Sequence, residues 1–161
     1  MDANPLSIDE HTKIVEEFVT GLVGAFGAEA TYETVEIDES TREVRVIGDD
    51  LGHLIGPRGN TLQAVQELAR TVVHRHASEG QAGRVFLDIG GYRERRRGAL
   101  ERFTTKVAGD VLESGVAKAL EPMAASDRKV VHDTANEIEG VRTTSEGEEP
   151  RRRVVLHPDA D

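Results

Sequence analysis

The chain has 161 residues, 37% of them hydrophobic, no cysteine and a formal net charge of −10. That length holds one ordinary domain or two small ones, and the missing cysteine excludes disulfides, thiolate chemistry and cysteine-based zinc sites. No apolar run approaches the roughly 20 residues of a membrane helix. The acidic start from Met1 to Thr12 lacks a charged-then-apolar secretion leader, so a cytoplasmic protein is expected.

Ser7-Ile8-Asp9-Glu10 reads as a capping box, with Ser at the N-cap and Glu three residues on. Ile14, Val15, Phe18, Val19, Leu22, Val23 and Phe26 follow at helical spacing, closed by Gly24 and Gly27. Ala30–Asp38 and Thr41–Ile47 alternate around Glu39-Ser40 and predict two antiparallel strands. Asp49-Asp50 is placed to start a single helical turn over Leu51–Ile55. That turn delivers the chain into Gly56-Pro57-Arg58-Gly59. From Leu62, the positions Val65, Leu68, Ala69, Val72 and Val73 mark a second long helix to about Ala77. A loop over 78–83 and a third strand through Val85, Leu87 and Ile89 complete the first module.

Gly90-Gly91 is the predicted hinge. Tyr92–Glu113 then reads as a helix with Leu100, Phe103, Val107 and Val111 on one stripe. Val116–Leu120 is a short strand, Ser126 caps a helix to about Ala135, and Val141–Thr144 and Arg152–Leu156 form two strands around the loop Ser145–Pro150. The fold class expected is α+β in two small modules, 1–90 and 91–161.

The candidate chemistry concentrates at two places. Gly56-Pro57-Arg58-Gly59 opens onto a helix, where free N–H groups and the positive end of the helix dipole suit an anion. Glycine tolerates positive φ and lets another backbone approach, and Arg58 adds a charge at the tip. Pro57 removes one amide donor, which leaves Arg58 and the remaining amides to hold a phosphate. Ile55 and Val46 are candidate walls of an apolar groove beside the helix. The second place is Arg128 and His132, four apart and so on one helix face. Together they form a donor-rich patch suited to one phosphate, unless His132 is structural and Arg128 pairs with Asp127 or Glu121. Lys129, Arg151 and Arg153 are weaker supporting candidates.

Charge distribution favours an anionic ligand despite the acidic total. Residues 1–50 carry 3 basic against 13 acidic residues, whereas residues 54–106 carry 10 basic against 5 acidic. Local charge, not the total, sets the field at a site. The run Arg93–Arg97 is either a phosphate rail or a solvated helix start paired with Glu94 and Glu101. A nucleotide-binding P-loop is rejected, because no Lys-Ser/Thr follows the second glycine. His74 and His76, two apart on a helix, cannot share a metal, and His53 is alone. No carboxylate or histidine pattern points to catalysis, and neither a cofactor nor a metal is expected.

The order helix, strand, strand, short helix, Gly-x-x-Gly, helix, strand resembles a type II KH domain, whose Gly-x-x-Gly loop clamps single-stranded nucleic acid by its backbone. The helix, strand, helix, strand, strand order around Arg128-x-x-x-His132 resembles an R-three-H domain. Both in this sequence, with Tyr92-Arg93-Glu94-Arg95-Arg96, Glu121-Pro122-Met123 and the tail Gly147-Glu148-Glu149-Pro150, resemble the Jag/KhpB (SpoIIIJ-associated) family from about Leu6 to Pro158. Many relatives begin with an extra N-terminal Jag domain, whereas this sequence opens almost directly on the first KH helix. The resemblance implies non-catalytic binding of single-stranded RNA, with single-stranded DNA a further candidate ligand. It also implies an RNA-chaperone or regulatory role in bacterial growth, cell division and cell shape, and a small single-KH partner (KhpA). The alternative is an adaptor that docks a KH partner, with RNA contact secondary.

Overall fold

The structure, a computed structural model, describes residues 6–77 and 83–159. The expected loop at 78–82 and the first residues of the chain lie outside the described residues. The chain divides into two compact units, Met1–Arg93 and Glu94–Asp161, and each is a mixture of helix and strand.

In the first unit, helix α1 (Ile8–Ala25) starts on the capping box. The Ser7 hydroxyl accepts from the Glu10 N–H at 3.2 Å, and the Glu10 carboxylate accepts from the Ser7 N–H at 2.9 Å. A cap of this kind is worth about 1 kcal/mol. Strands β1 (Thr31–Asp38) and β2 (Thr41–Ile47) pair antiparallel, and β2 pairs parallel with β3 (Arg84–Ile89), giving the sheet order β1-β2-β3. A parallel pair requires a crossover, here supplied by helix α2 (Gly52–Ile55), a 3₁₀ turn (Pro57–Gly59) and helix α3 (Asn60–His76). The Gly-x-x-Gly turn therefore follows the carboxyl end of β2. Val15, Val19 and Val23 of α1 meet Val44, Val46, Leu87 and Ile89 of the sheet in one buried core.

In the second unit, helix α4 (Tyr92–Ser114, beginning just inside the first unit) buries Leu100, Val107 and Val111. Helix α5 (Ala125–Asn136) buries Val131 and Ala135. Both pack on an antiparallel sheet of β4 (Lys118–Ala119), β5 (Val141–Glu146) and β6 (Arg153–Pro158), in the order β4-β6-β5. Central β6 buries Val154 and Leu156.

Several expectations shift in detail. Phe26 lies beyond the end of α1 and is 58% exposed, because the helix stops at Ala25. Leu68 and Phe103 point outward, and Gln66 and Thr104 take interior positions on α3 and α4 instead. The expected cap Ser126 is inside α5; Ala124 is the N-cap and offers no side-chain bond. The strand expected over Val116–Leu120 contracts to two residues. Val46 is fully buried, so it belongs to the core and cannot wall a surface groove.

His11 on α1 is 4% exposed and its Nδ1 has no partner. Burial, with a smaller contribution from His74, pushes its pKa below the ordinary histidine value. Arg70 and Arg84 line the same small cavity. A group whose folded pKa is lowered is neutral in the folded state while the unfolded chain takes up a proton. Stability is therefore complete above the unfolded value, near 6.5, and falls as pH drops below it, by at most about 1.4 kcal/mol per pH unit. Denaturant titrations between about pH 7.5 and about pH 5, on either side of the ordinary histidine value, are expected to show this loss, and His11→Leu is expected to flatten it.

Candidate nucleic-acid interface

The tip between α2 and α3 is built from backbone conformations that most residues avoid. Gly56 has φ 70° and ψ 176°, Arg58 has φ 55° and ψ 23°, and Gly59 has φ 73° and ψ 16°. A Cβ on Gly56 would collide with the Thr61 side chain, and one on Gly59 with the ring of Tyr92. Both glycines are required twice over, by φ and by space. Holding Arg58 at positive φ costs about 1 kcal/mol or more, and it turns that side chain outward on an exposed loop. Pro57 and Arg58 are exposed, Gly56 is half-buried and Gly59 is buried.

The tip offers fewer free amides than its sequence suggests. Gly56 N–H donates to Gly52 O at 2.9 Å, Gly59 N–H to Gly56 O at 3.2 Å, and Asn60 N–H to Pro57 O. Pro57 has no N–H. Arg58 stands apart: neither its amide nor its guanidinium has a partner among the described residues. At Arg58 the tip presents a cationic side chain and a free amide together, rather than a ring of free amides.

Tyr92 is the residue at the tip that sequence reasoning missed. The helical pattern assigned it to the second module, yet its ring packs on Gly59 and on the first core. The following residue is anchored there as well, with Arg93 N–H donating to Asp88 Oδ1 at 3.1 Å and Arg93 Nε to Leu87 O at 2.9 Å. Asp88 is 6% exposed, a buried carboxylate inside an apolar strand. That position was the available signal. The rest of the arginine run is also engaged: Arg96 pairs with Asp127 at 2.9 Å and Arg97 with Glu101 at 2.9 Å, and Arg95 has a partner of its own.

The second candidate patch is brought together but internally occupied. Arg128 is 8% exposed; its Nη1 donates to Met123 O at 2.7 Å and its Nη2 to the Glu149 carboxylate at 2.5 Å. Neither Asp127 nor Glu121 is its ion-pair partner. His132 lies between the hydroxyls of Thr143 (Nδ1, 2.6 Å) and Ser145 (Nε2, 2.7 Å). Burial lowers its pKa and the nearby cations Arg128 and Arg152 add to this, while Asp133 opposes them. The neutral ring bridges α5 to β5, and the arginine ties α5 to the hairpin loop. Lys129 is exposed and pairs with Asp133 at 2.5 Å. Arg151 and Arg153 are exposed, with no side-chain partner among the described residues.

Among the described residues, no group of three or more potential metal ligands clusters, and no helix is long and apolar enough to cross a membrane.

Comparison with known proteins identifies both modules. Residues 12–85 match the KH domain of KhpA/KhpB, and residues 98–158 match the R-three-H domain. RNA-binding protein KhpB of Clostridium symbiosum is 39% identical over 125 residues, 76% of this chain and 55% of that protein. The Bacillus subtilis protein of the same name is 35% identical over 126 residues, covering 76% and 60%. That of Streptococcus pneumoniae serotype 2 is 29% identical over 149 residues, covering 92% and 44%. The chain thus spans about half the length of the curated relatives it matches.

Gly59→Ala forces a Cβ into the Tyr92 ring at positive φ and is expected to cost about 1–3 kcal/mol in denaturant unfolding. In a double-mutant cycle, Tyr92→Ala should recover part of that loss. Strict additivity of the two changes would show that the ring and the glycine are not coupled.

Proposed function

The chain belongs to the KhpB family, and on that premise we propose that it is a non-catalytic binder of single-stranded RNA that grips the sugar-phosphate backbone at two places. The observation that carries this reading is Arg58, an exposed cation fixed at a positive-φ tip, with neither amide nor guanidinium partnered among the described residues. The relatives' name, RNA-binding protein, supports it. In the KH module (residues 1–90), Gly56, Pro57, Arg58 and Gly59 hold one stretch of backbone. In the R-three-H module (residues 91–161), Arg128 and His132 take a second phosphate, with Lys129, Arg151 and Arg153 in support. The Lys129–Asp133 pair is solvent-exposed and contributes little, so that lysine is readily released to RNA. One RNA reaching both sites gains by effective concentration. Single-stranded DNA is a second ligand on the same backbone chemistry. In the cytoplasm such a protein acts as an RNA chaperone or post-transcriptional regulator tied to growth, cell shape and cell division.

A second reading, an adaptor that docks a small single-KH partner such as KhpA, draws on a different surface. Strand β1 is exposed along almost its whole length and carries Glu33, Glu36 and Asp38, with Ile37 54% exposed. Salt separates the two readings. Each phosphate neutralised on a single strand adds about −0.7 to the slope of log K against log salt. A slope of several such units supports backbone binding, and a flat one supports the adaptor.

Changing Pro57→Asp with Arg58→Asp should leave the melting temperature unchanged and weaken RNA binding about tenfold or more, the scale of one charge-assisted contact turned repulsive. Unchanged crosslinking to RNA would remove the tip from the interface. For the second module, a phosphate reaching Arg128 has to displace the Glu149 carboxylate. Glu149→Gln is therefore expected to tighten binding severalfold while lowering thermal stability, since the buried Arg128 loses its carboxylate. Weaker binding, matching Arg128→Ala, would instead make Glu149 a support of the site.

A further inference from the structure

Strand β3 is the outer strand of the first sheet, so its free edge should present unpaired peptide groups. Bases of an RNA held at the Gly-x-x-Gly tip would be read there most simply, because a peptide N–H and C=O match the donors and acceptors of a base edge. The middle of that edge is already occupied. Gln66 on α3 donates from Nε2 to Val85 O at 3.1 Å and accepts from Leu87 N–H through Oε1 at 2.7 Å, so its amide imitates one residue of a neighbouring strand. Arg93 takes the next acceptor, donating from Nε to Leu87 O at 2.9 Å. The arrangement is buried at Gln66, which is 8% exposed, while the Leu87 side chain is fully buried and offers nothing to a base.

We infer that Gln66 and Arg93 mask the middle of the β3 edge, from the Val85 carbonyl to the Leu87 carbonyl, so that the KH module grips backbone without choosing among bases there. The inference rests on the tip being the RNA contact. Gln66 closes the far part of the edge as a core group, bonded on both sides of its amide. Arg93 closes the near part with a residue that is otherwise exposed, and it is the removable half of the mask. Once freed, the Leu87 carbonyl is an acceptor. It would favour adenine and cytosine, which carry exocyclic amino groups, over uracil, which has a carbonyl in the corresponding place.

The test measures affinity of the full chain for oligo(A), oligo(C) and oligo(U) of equal length, in the wild type and in the Pro57→Asp/Arg58→Asp variant. The ratio of the two affinities isolates the tip-dependent part for each base and cancels differences in strand stacking. That ratio is expected to agree across the three oligomers within about threefold, less than the tenfold that one good bidentate base contact confers. A larger spread overturns the inference. A ratio near one for all three means that the tip does not bind RNA, and the functional reading falls, taking the inference with it. In the same assay Arg93→Ala is expected to move the ratio toward adenine and cytosine by more than about threefold, again short of a full bidentate contact. A purely structural role for Arg93 would shift the melting temperature and leave that preference alone, which would overturn its assignment as a mask.

Discussion

Everything at the tip follows from one steric constraint, that the chain must reverse between α2 and α3 through three residues at positive φ. Only glycine adopts such conformations cheaply, and two of the three positions are glycine. The third is Arg58. Placing an arginine there is locally unfavourable, and the surrounding packing holds it: Thr61 sits against Gly56, and Tyr92 against Gly59. The turn carries an exposed guanidinium with no partner among the described residues.

The two modules handle positive charge in opposite ways. At the KH tip the cation is free and the amides are mostly spent. In the second unit Arg128 and His132 are spent on Met123, Glu149, Thr143 and Ser145, while the peripheral Arg151 and Arg153 are among the cations without a side-chain partner among the described residues. The Arg-x-x-x-His pair therefore has a structural duty in the RNA-free protein, tying α5 to the β5–β6 hairpin. Arg128 is desolvated there, and a buried guanidinium is tolerated because both a carbonyl and a carboxylate receive it.

Much of this architecture was legible in the sequence, because local rules and global packing agree along most of the chain. The capping box at Ser7 and Glu10, the alternation in β2 and β3, and the Gly-Pro-Arg-Gly turn each follow from periodicity or glycine spacing. The failures share one cause. Hydropathy ranks Leu68 above Gln66 and Phe103 above Thr104, yet which stripe of a helix faces inward is set by its rotation on the sheet. Gln66 is buried because β3 has peptide groups to satisfy, a demand visible only once the strand is placed. Tyr92 was misplaced for the same reason, since its partner is a distant glycine, and the burial of Asp88 likewise serves an adjoining helix start. The occupancy of Arg128 depends on a loop residue 21 positions away, which no spacing rule anticipates.

The central claim is that the Arg58 tip is where a polyanion first meets this protein. Backbone-amide NMR during titration with a short single-stranded RNA tests it most directly, because it reads each residue separately and needs no substitution. The account predicts that the largest shifts fall on Arg58, Gly59 and the start of α3, saturate together and weaken with added salt. Shifts confined to β1 or to the second unit, with the tip amides unmoved at saturation, would contradict it.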